Sequence, residues 1–269
     1  MIYEYTLSAN TLFHFTNSSG NLENILKKEF YPRYCLEDFS IVIPKIRGLP
    51  LKPKERAIPM VSFCDIPLSQ IRKHVGYYGR YAIGLTKEWG IKNNICPILY
   101  TYDQSELSAQ FKSILVRALE NMASTGINNI ANIFNHWINI VKFVKPYEGR
   151  LWKDGKYLKK KIRFYDEREW RFCPNIPFID KQKEDGPSNF LSKDSFLRHD
   201  EIQKESKILE RFKLSFEPKD IKYIIVNKED EILDMVNKVN QIKKVKYTPD
   251  DLRILTTRII SMEHIFEDF

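Results

Sequence analysis

Arg163-Phe164-Tyr165-Asp166-Glu167-Arg168-Glu169-Trp170-Arg171-Phe172 alternates with a period of two, the spacing of a strand whose side chains point to opposite faces. Arg163, Tyr165, Glu167, Glu169 and Arg171 share one side. Ile162, Phe164, Trp170 and Phe172 dominate the other and face a core, with Asp166 and Arg168 breaking the apolar run. The alternation begins upstream at Tyr157. Two glutamates are thereby expected to project side by side from one strand. Such a pair suits chemistry through a cationic sugar: one carboxylate stabilises an oxocarbenium-like centre or holds a ribose hydroxyl, and the other orients or deprotonates a nucleophile. The competing reading is a solvated strand face with cross-strand ion pairs.

Upstream of this strand, Pro/Gly punctuation separates further strand candidates at Thr11 to Thr16, Ile58 to Cys64, Tyr81 to Thr86 and Pro97 to Tyr102. Leu22, Ile25 and Leu26 fall at helical spacing after Asn17-Ser18-Ser19-Gly20, and Ser69 to Gly76 reads as a helix or turn. Two apolar stripes of helical period follow: Leu107 to Met122, and, after Gly126, Ile130 to Val141. Residues 180–207 are polar and include Gly186-Pro187-Ser188-Asn189, which predicts a mobile surface loop with a short helix near its end. Ile221 to Val226 predicts a strand, Glu229 to Val239 a helix and Leu252 to Ile260 another strand. The expectation is one α+β domain over residues 1–269, its sheet drawn from both ends of the chain, with a helical pair inserted at about 104–145.

The 269 residues are 43% hydrophobic with only 10 glycines and 13 prolines, which excludes disordered and collagen-like classes. The net charge of +8 favours an anionic partner. Cys35, Cys64, Cys96 and Cys173 are widely spaced with no CxxC pair, so buried thiols are expected rather than a metal site. No stretch is long and apolar enough to span a membrane, and Met1-Ile2-Tyr3-Glu4-Tyr5 lacks the layout of a signal peptide, so the chain reads as cytoplasmic. It has no Walker loop, HExxH, GxGxxG or GxSxG, which argues against a nucleoside triphosphatase, a zincin, a hydride-transfer enzyme and a serine hydrolase.

Two further constellations could carry chemistry. His14 and Thr16 lie two apart on a strand and face the same way, a donor and an acceptor suited to ribose hydroxyls or an amide, or else ordinary satisfied strand residues. Ser62 lies in Val61-Ser62-Phe63-Cys64, ahead of a turn with Tyr77, Tyr78, Gly79, Arg80 and Tyr81, where rings could sandwich a nicotinamide or a base, or simply fill the core. Lys159-Lys160-Lys161 and Lys243-Lys244-Val245-Lys246 could follow a phosphate backbone or be solvated faces.

Leu12-Phe13-His14-Phe15-Thr16, Val61-Ser62-Phe63-Cys64-Asp65-Ile66-Pro67-Leu68, Tyr78-Gly79-Arg80-Tyr81-Ala82-Ile83-Gly84-Leu85 and Glu167-Arg168-Glu169-Trp170-Arg171 are together similar to the AbiGi-type abortive phage-resistance family. The resemblance continues through Leu255 to Ser261 and Glu267-Asp268-Phe269. It implies a place in a bacterial phage-defence toxin–antitoxin operon and by itself no reaction. The same order of features more distantly resembles NAD-dependent ADP-ribosyltransferases, implying a split β-sheet core with NAD as substrate. In that resemblance His14 and Thr16 hold the nicotinamide-ribose end, Ser62 lies on the second strand, and Tyr78 and Tyr81 compete for one aromatic role. Glu169 holds the ribose hydroxyl at the reacting carbon and Glu167 orients the acceptor, while Arg33 resembles an arginine of the DarT-like, nucleic-acid-modifying branch. The chain mixes the His/Tyr and E-x-E types and lacks a Ser-Thr-Ser strand.

The leading expectation is thus a phage-defence toxin that transfers ADP-ribose from NAD to a macromolecule, RNA or DNA ahead of protein, with a cognate antitoxin or regulatory protein as partner. The alternative is a non-catalytic antitoxin or sensor of such an operon. Hydrolysis of NAD without an acceptor is a third reading.

Overall fold

The computed structural model describes residues 8–44, 55–120, 133, 136–176, 188–243 and 247–269. A nine-stranded mixed sheet organises them. Its strands are β1 (Thr11–Thr16), β2 (Arg33–Asp38), β3 (Glu55–Cys64), β4 (Tyr81–Thr86), β5 (Cys96–Pro97), β6 (Glu169–Phe172), β7 (Leu191–Ser192), β8 (Ile221–Val226) and β9 (Ile259–Ser261). The main path runs β9-β8-β4-β1-β3-β6-β5, with β2 and β7 added on β3. Pairing is antiparallel throughout except between β8 and β9. β3 is the hub: Ala57 is paired with both Leu36 and Leu191, and Cys64 with both Phe13 and Glu169.

Alternation along β1 explains the layering. Leu12 joins a core with Phe63, Leu85, Ile224 and four helices, whereas Phe13 and Phe15 join Ile71, Val75, Ile225 and Met262 on the opposite face. The helices of the first core are α1 (Ser19–Lys28), begun by Ser18 accepting from the Asn21 amide, the helix after β4, which brings Trp89, and two from the C-terminal part described below. α2 (Arg72–Tyr78) covers the second face, α3 (Lys87–Lys92) follows β4, and α4 (Glu106–Glu120) lies apart from both. Phe111 and Leu115 of α4 meet Trp137, Ile138 and Val141 of a helical stretch over 136–141, and the Trp137 indole donates to the Phe111 carbonyl at 3.1 Å. Leu99–Thr101 and Val144–Pro146 pair in parallel at the base of this helical excursion. The rest of the second predicted helix lies outside the described residues, as do residues 180–187 and Lys244 to Lys246.

The C-terminal half departs from several expectations. Residues 191–207 form no loop: after β7, α5 (Lys193–Leu197) starts on a Ser192 cap and α6 (His199–Leu209) buries Leu209. α7 (Ile232–Lys243) follows β8 and completes the first core with Met235 and Val239. Leu252 to Ile260 is not a strand, because Thr248 and Asp251 form a reciprocal capping box around Pro249 and start α8 (Pro249–Thr256). Only β9 remains extended, followed by α9 (Met262–Asp268). The predicted strand from Tyr157 to Phe172 is likewise divided: Lys156–Tyr157 and Ile162–Arg163 are short strands, Phe164–Glu167 is a 3-10 turn, and β6 begins only at Glu169. Pro97 to Tyr102 is also broken, into β5 and Leu99–Thr101.

Candidate functional site

The break before β6 shapes the site. Arg168 takes a left-handed conformation (φ 44°, ψ 49°) and is held there by Asp65, which accepts from its Nε at 2.6 Å. Lys87 pairs with the same carboxylate at 3.0 Å. This single left-handed residue turns the chain so that Glu167, ending the 3-10 turn, and Glu169, opening β6, both point inward and are buried. Along β6 the expected alternation holds: Glu169 and Arg171 are buried on one side, and Trp170 and Phe172 pack against the first core. Arg163 and Tyr165 do not share the buried face and are exposed, because the turn intervenes.

Around the two glutamates lies a network of ion pairs. Glu169 Oε1 accepts from Ser62 Oγ at 2.7 Å and from Arg171 Nε at 2.6 Å; Oε2 accepts from Lys145 Nζ at 2.9 Å and Arg171 Nη2 at 3.1 Å. Glu167 Oε2 accepts from Lys145 at 2.8 Å and Oε1 from the Tyr78 hydroxyl at 2.5 Å. Arg171 also donates to Glu37 Oε1 at 2.7 Å and to the Lys142 carbonyl at 2.9 Å. Glu37 Oε2 is buried with no hydrogen-bond partner among the described residues. The Glu169 amide donates to the Tyr100 hydroxyl at 3.0 Å.

The electrostatics follow from burial and pairing. Burial alone would raise the proton affinity of Glu169, but the Arg171 guanidinium and the Lys145 ammonium outweigh it and hold the carboxyl well below its ordinary range. For Glu167 burial prevails over Lys145 and its proton affinity is raised. Lys145 is buried, yet its carboxylate neighbours hold it protonated. Burial raises the Tyr78 hydroxyl, with Glu167 adding to it, so the phenol stays a donor. His74, stacked on Tyr78 at 4.5 Å, is lowered to about 4 by burial and by Lys145.

Two cavities meet at this cluster. The smaller, about 340 Å³, is bordered by His14, Ser62, Tyr78, Glu167 and Glu169; the larger, about 530 Å³, opens beside Tyr102, Tyr147 and Tyr157. Glu37, Lys145 and Trp152 line both. Their sizes are those of small-molecule sites.

Of the residues singled out in the sequence, Glu167, Glu169, Ser62 and Tyr78 are brought together, and His14 reaches the cavity wall while its Nδ1 meets the Ser62 carbonyl at 2.8 Å. The others are not. Thr16 is buried away from the cavity beneath Gly79, whose φ of 105° and close approach to the Thr16 carbonyl leave no room for a Cβ. Arg33 is exposed at the start of β2, opposite Met60. Tyr81 donates instead to Glu231 at 2.9 Å and lies outside the cavity that Tyr78 borders. Cys64 is the buried thiol expected, whereas Cys96 is exposed and Cys35 lines the smaller cavity. Lys145 and Glu37 were not singled out; they come from segments remote from the E-x-E stretch, and no local spacing marks them. Arg171 could have been suspected, as a cation two residues beyond a glutamate on a strand.

Sheet and site together define a mixed α+β protein whose pocket is built on a buried ion cluster of three carboxylates and two cations. The chain belongs to the AbiGi family: the family model described as "Putative abortive phage resistance protein AbiGi, antitoxin" matches residues 28–227. That span contains Glu37, Ser62, Tyr78, Lys145, Glu167, Glu169 and Arg171 but not His14 or Thr16. The chain is also similar to "Abortive phage resistance protein AbiGi" of Lactococcus lactis subsp. cremoris, 28% identical over 256 residues covering 89% of this chain and 99% of that one. No solved structure matches. The expected membership of an abortive phage-resistance family thus holds. Among the described residues no helix is long and apolar enough to cross a membrane.

Proposed function

We propose that this protein serves phage defence as the non-catalytic, antitoxin-side member of a toxin–antitoxin pair, working in the cytoplasm by binding its cognate toxin. The observation that carries this reading is the saturation of Glu169: each of its oxygens already accepts two hydrogen bonds, from Ser62, Arg171 and Lys145. A carboxylate poised to hold a substrate hydroxyl needs an open acceptor site, and exchanging a buried charged donor for a neutral hydroxyl is unfavourable. The antitoxin label of the matching family points the same way.

A second reading, ADP-ribosyl transfer on a split-sheet core, is favoured by one feature: Glu167, Glu169, Ser62, Tyr78 and His14 all border one cavity. There the bond between nicotinamide and ribose C1′ would break, nicotinamide leaving with the electron pair, and a nucleophile on RNA, DNA or protein would bond to C1′ and lose its proton. NAD would be the substrate.

Growth separates the two. Expressed alone the chain should be tolerated, and expressed with the toxin encoded beside it, it should restore growth. Arrest by the chain alone, with label from NAD appearing on macromolecules and vanishing in a Glu169→Gln protein that still folds by circular dichroism, would overturn the antitoxin reading.

A further inference from the structure

Residues 144–163 hold eight Lys or Arg against Glu148 and Asp154, a local net of +6 (8 − 2) beside +8 for the whole chain. Lys145 is spent in the ion cluster, but Arg150, Lys156, Lys159 and Lys160 are exposed and have no ion-pair partner among the described residues. Arg150 lines the larger cavity and Lys156, Lys159 and Lys160 lie on the segment that continues from its wall; of three exposed rings, Tyr102 (64%) and Tyr147 (37%) border that cavity and Tyr165 (57%) lies just outside it. Tyr147 and Tyr165 lie 5.6 Å apart, and the Arg163 guanidinium sits 6.0 Å from the Tyr147 ring. Three acids of the cleft wall are paired with lysines, Glu55 with Lys193 at 2.8 Å, Asp103 with Lys112 at 2.6 Å and Glu148 with Lys161 at 3.4 Å, while Asp38 accepts from the Ser40 amide at 2.8 Å. Glu37 also lines this cavity, and its Oε2 is buried without a hydrogen-bond partner among the described residues.

Free cations with exposed rings describe a groove for a single strand, in which phosphates follow the charge and unpaired bases stack. A buried acceptor without a donor describes a hydroxyl to be read, and the 2′-hydroxyl distinguishes RNA from DNA. We propose that this cleft and the basic, tyrosine-bearing surface at its edge bind single-stranded RNA, with its phosphates along Arg150, Lys156, Lys159 and Lys160, bases on Tyr147 and Tyr165, and one ribose 2′-hydroxyl donating to Glu37 Oε2. The assignment does not depend on whether the chain acts as antitoxin or as toxin, and it is tested on purified protein alone.

The experiment is fluorescence anisotropy of the full chain with labelled RNA of about twelve nucleotides, a length within the range of single-strand sites, and with DNA of the same sequence and duplex RNA. RNA should bind in preference to both. Four phosphate contacts should weaken binding about 50-fold between about 50 and 200 mM salt, and Lys159→Ala, Lys160→Ala, Lys161→Ala together should make the log–log salt slope shallower by about 1–2. Tyr147→Ala with Tyr165→Ala should weaken binding roughly tenfold or more. Glu37→Gln, checked for folding by circular dichroism, should reduce the preference for RNA over DNA. Absence of saturable RNA binding, equal affinity for DNA, or RNA affinity indifferent to the lysine and tyrosine variants would overturn the proposal. So would a triple-lysine variant that binds RNA normally but no longer binds the toxin, which would make this face a protein-docking surface.

Discussion

Lys145 is a buried ammonium that three carboxylates share: Glu167 and Glu169 within hydrogen-bond reach, and Glu37 Oε1 at 3.7 Å. Removing one member of a buried ion cluster leaves its partners desolvated and unpaired, so Lys145→Met should destabilise the protein by about 3–5 kcal/mol, measured by urea denaturation. A loss below about 1 kcal/mol would show that water reaches these carboxylates. His74 gives a pH signature. Its folded pKa of about 4 lies below the ordinary 6.5, so between those values the unfolded chain holds a proton that the folded chain does not. Stability should therefore fall as pH drops from 6.5 towards 4, by up to about 3 kcal/mol from this residue, and level off below. His14, also lowered by burial, adds in the same direction. A His74→Gln protein should show a shallower fall over the upper part of that window; an unchanged slope would discount His74 as its source. Glu169 acts lower still: its depressed proton affinity contributes stability above the ordinary carboxylate range, lost on further acidification.

At the scale of elements, the turn at Arg168 is the decisive local structure. Arg168→Gly keeps access to the left-handed region and loses the ion pair to Asp65, while Arg168→Val loses the pair and adds strain. Valine should thus be the less stable of the two by about 1–2 kcal/mol in chemical denaturation. Equal stabilities would mean that the turn relaxes. The same turn shows what the sequence could reveal. Period-two alternation put Glu167, Glu169 and Arg171 on one face, and they do converge, but Glu167 arrives from a 3-10 turn, which alternation cannot distinguish from one more strand position. β1, β4 and β8 were legible because their β-branched and aromatic runs are buried on both faces of the sheet. α8 was misread on the apolar content of Leu252, Ile254 and Leu255, although Thr248-Pro249-Asp250-Asp251 spelled out a helix start. Glu37 and Lys145 carry no such local sign, because only tertiary pairing brings them to the E-x-E strand.

For the whole molecule, the sheet stitches remote parts of the chain together: β8 and β9 extend the edge beyond β4, and β6 is inserted against β3 from more than a hundred residues away. Residues 248–269 supply Leu255, Met262 and Ile265, all essentially without solvent contact, to the two cores. Truncation after Tyr247 should therefore abolish cooperative unfolding, seen as loss of a sigmoidal thermal transition by circular dichroism. A truncated chain that melts like the intact one would assign those residues a peripheral role. The hub position of β3 has a further consequence in time. Its amides near Ala57 and Cys64 are locked on both flanks by segments from the beginning, middle and later parts of the chain. No local fraying frees them, so their deuterium uptake will report opening of the entire fold, an internal clock against which faster uptake elsewhere can be measured.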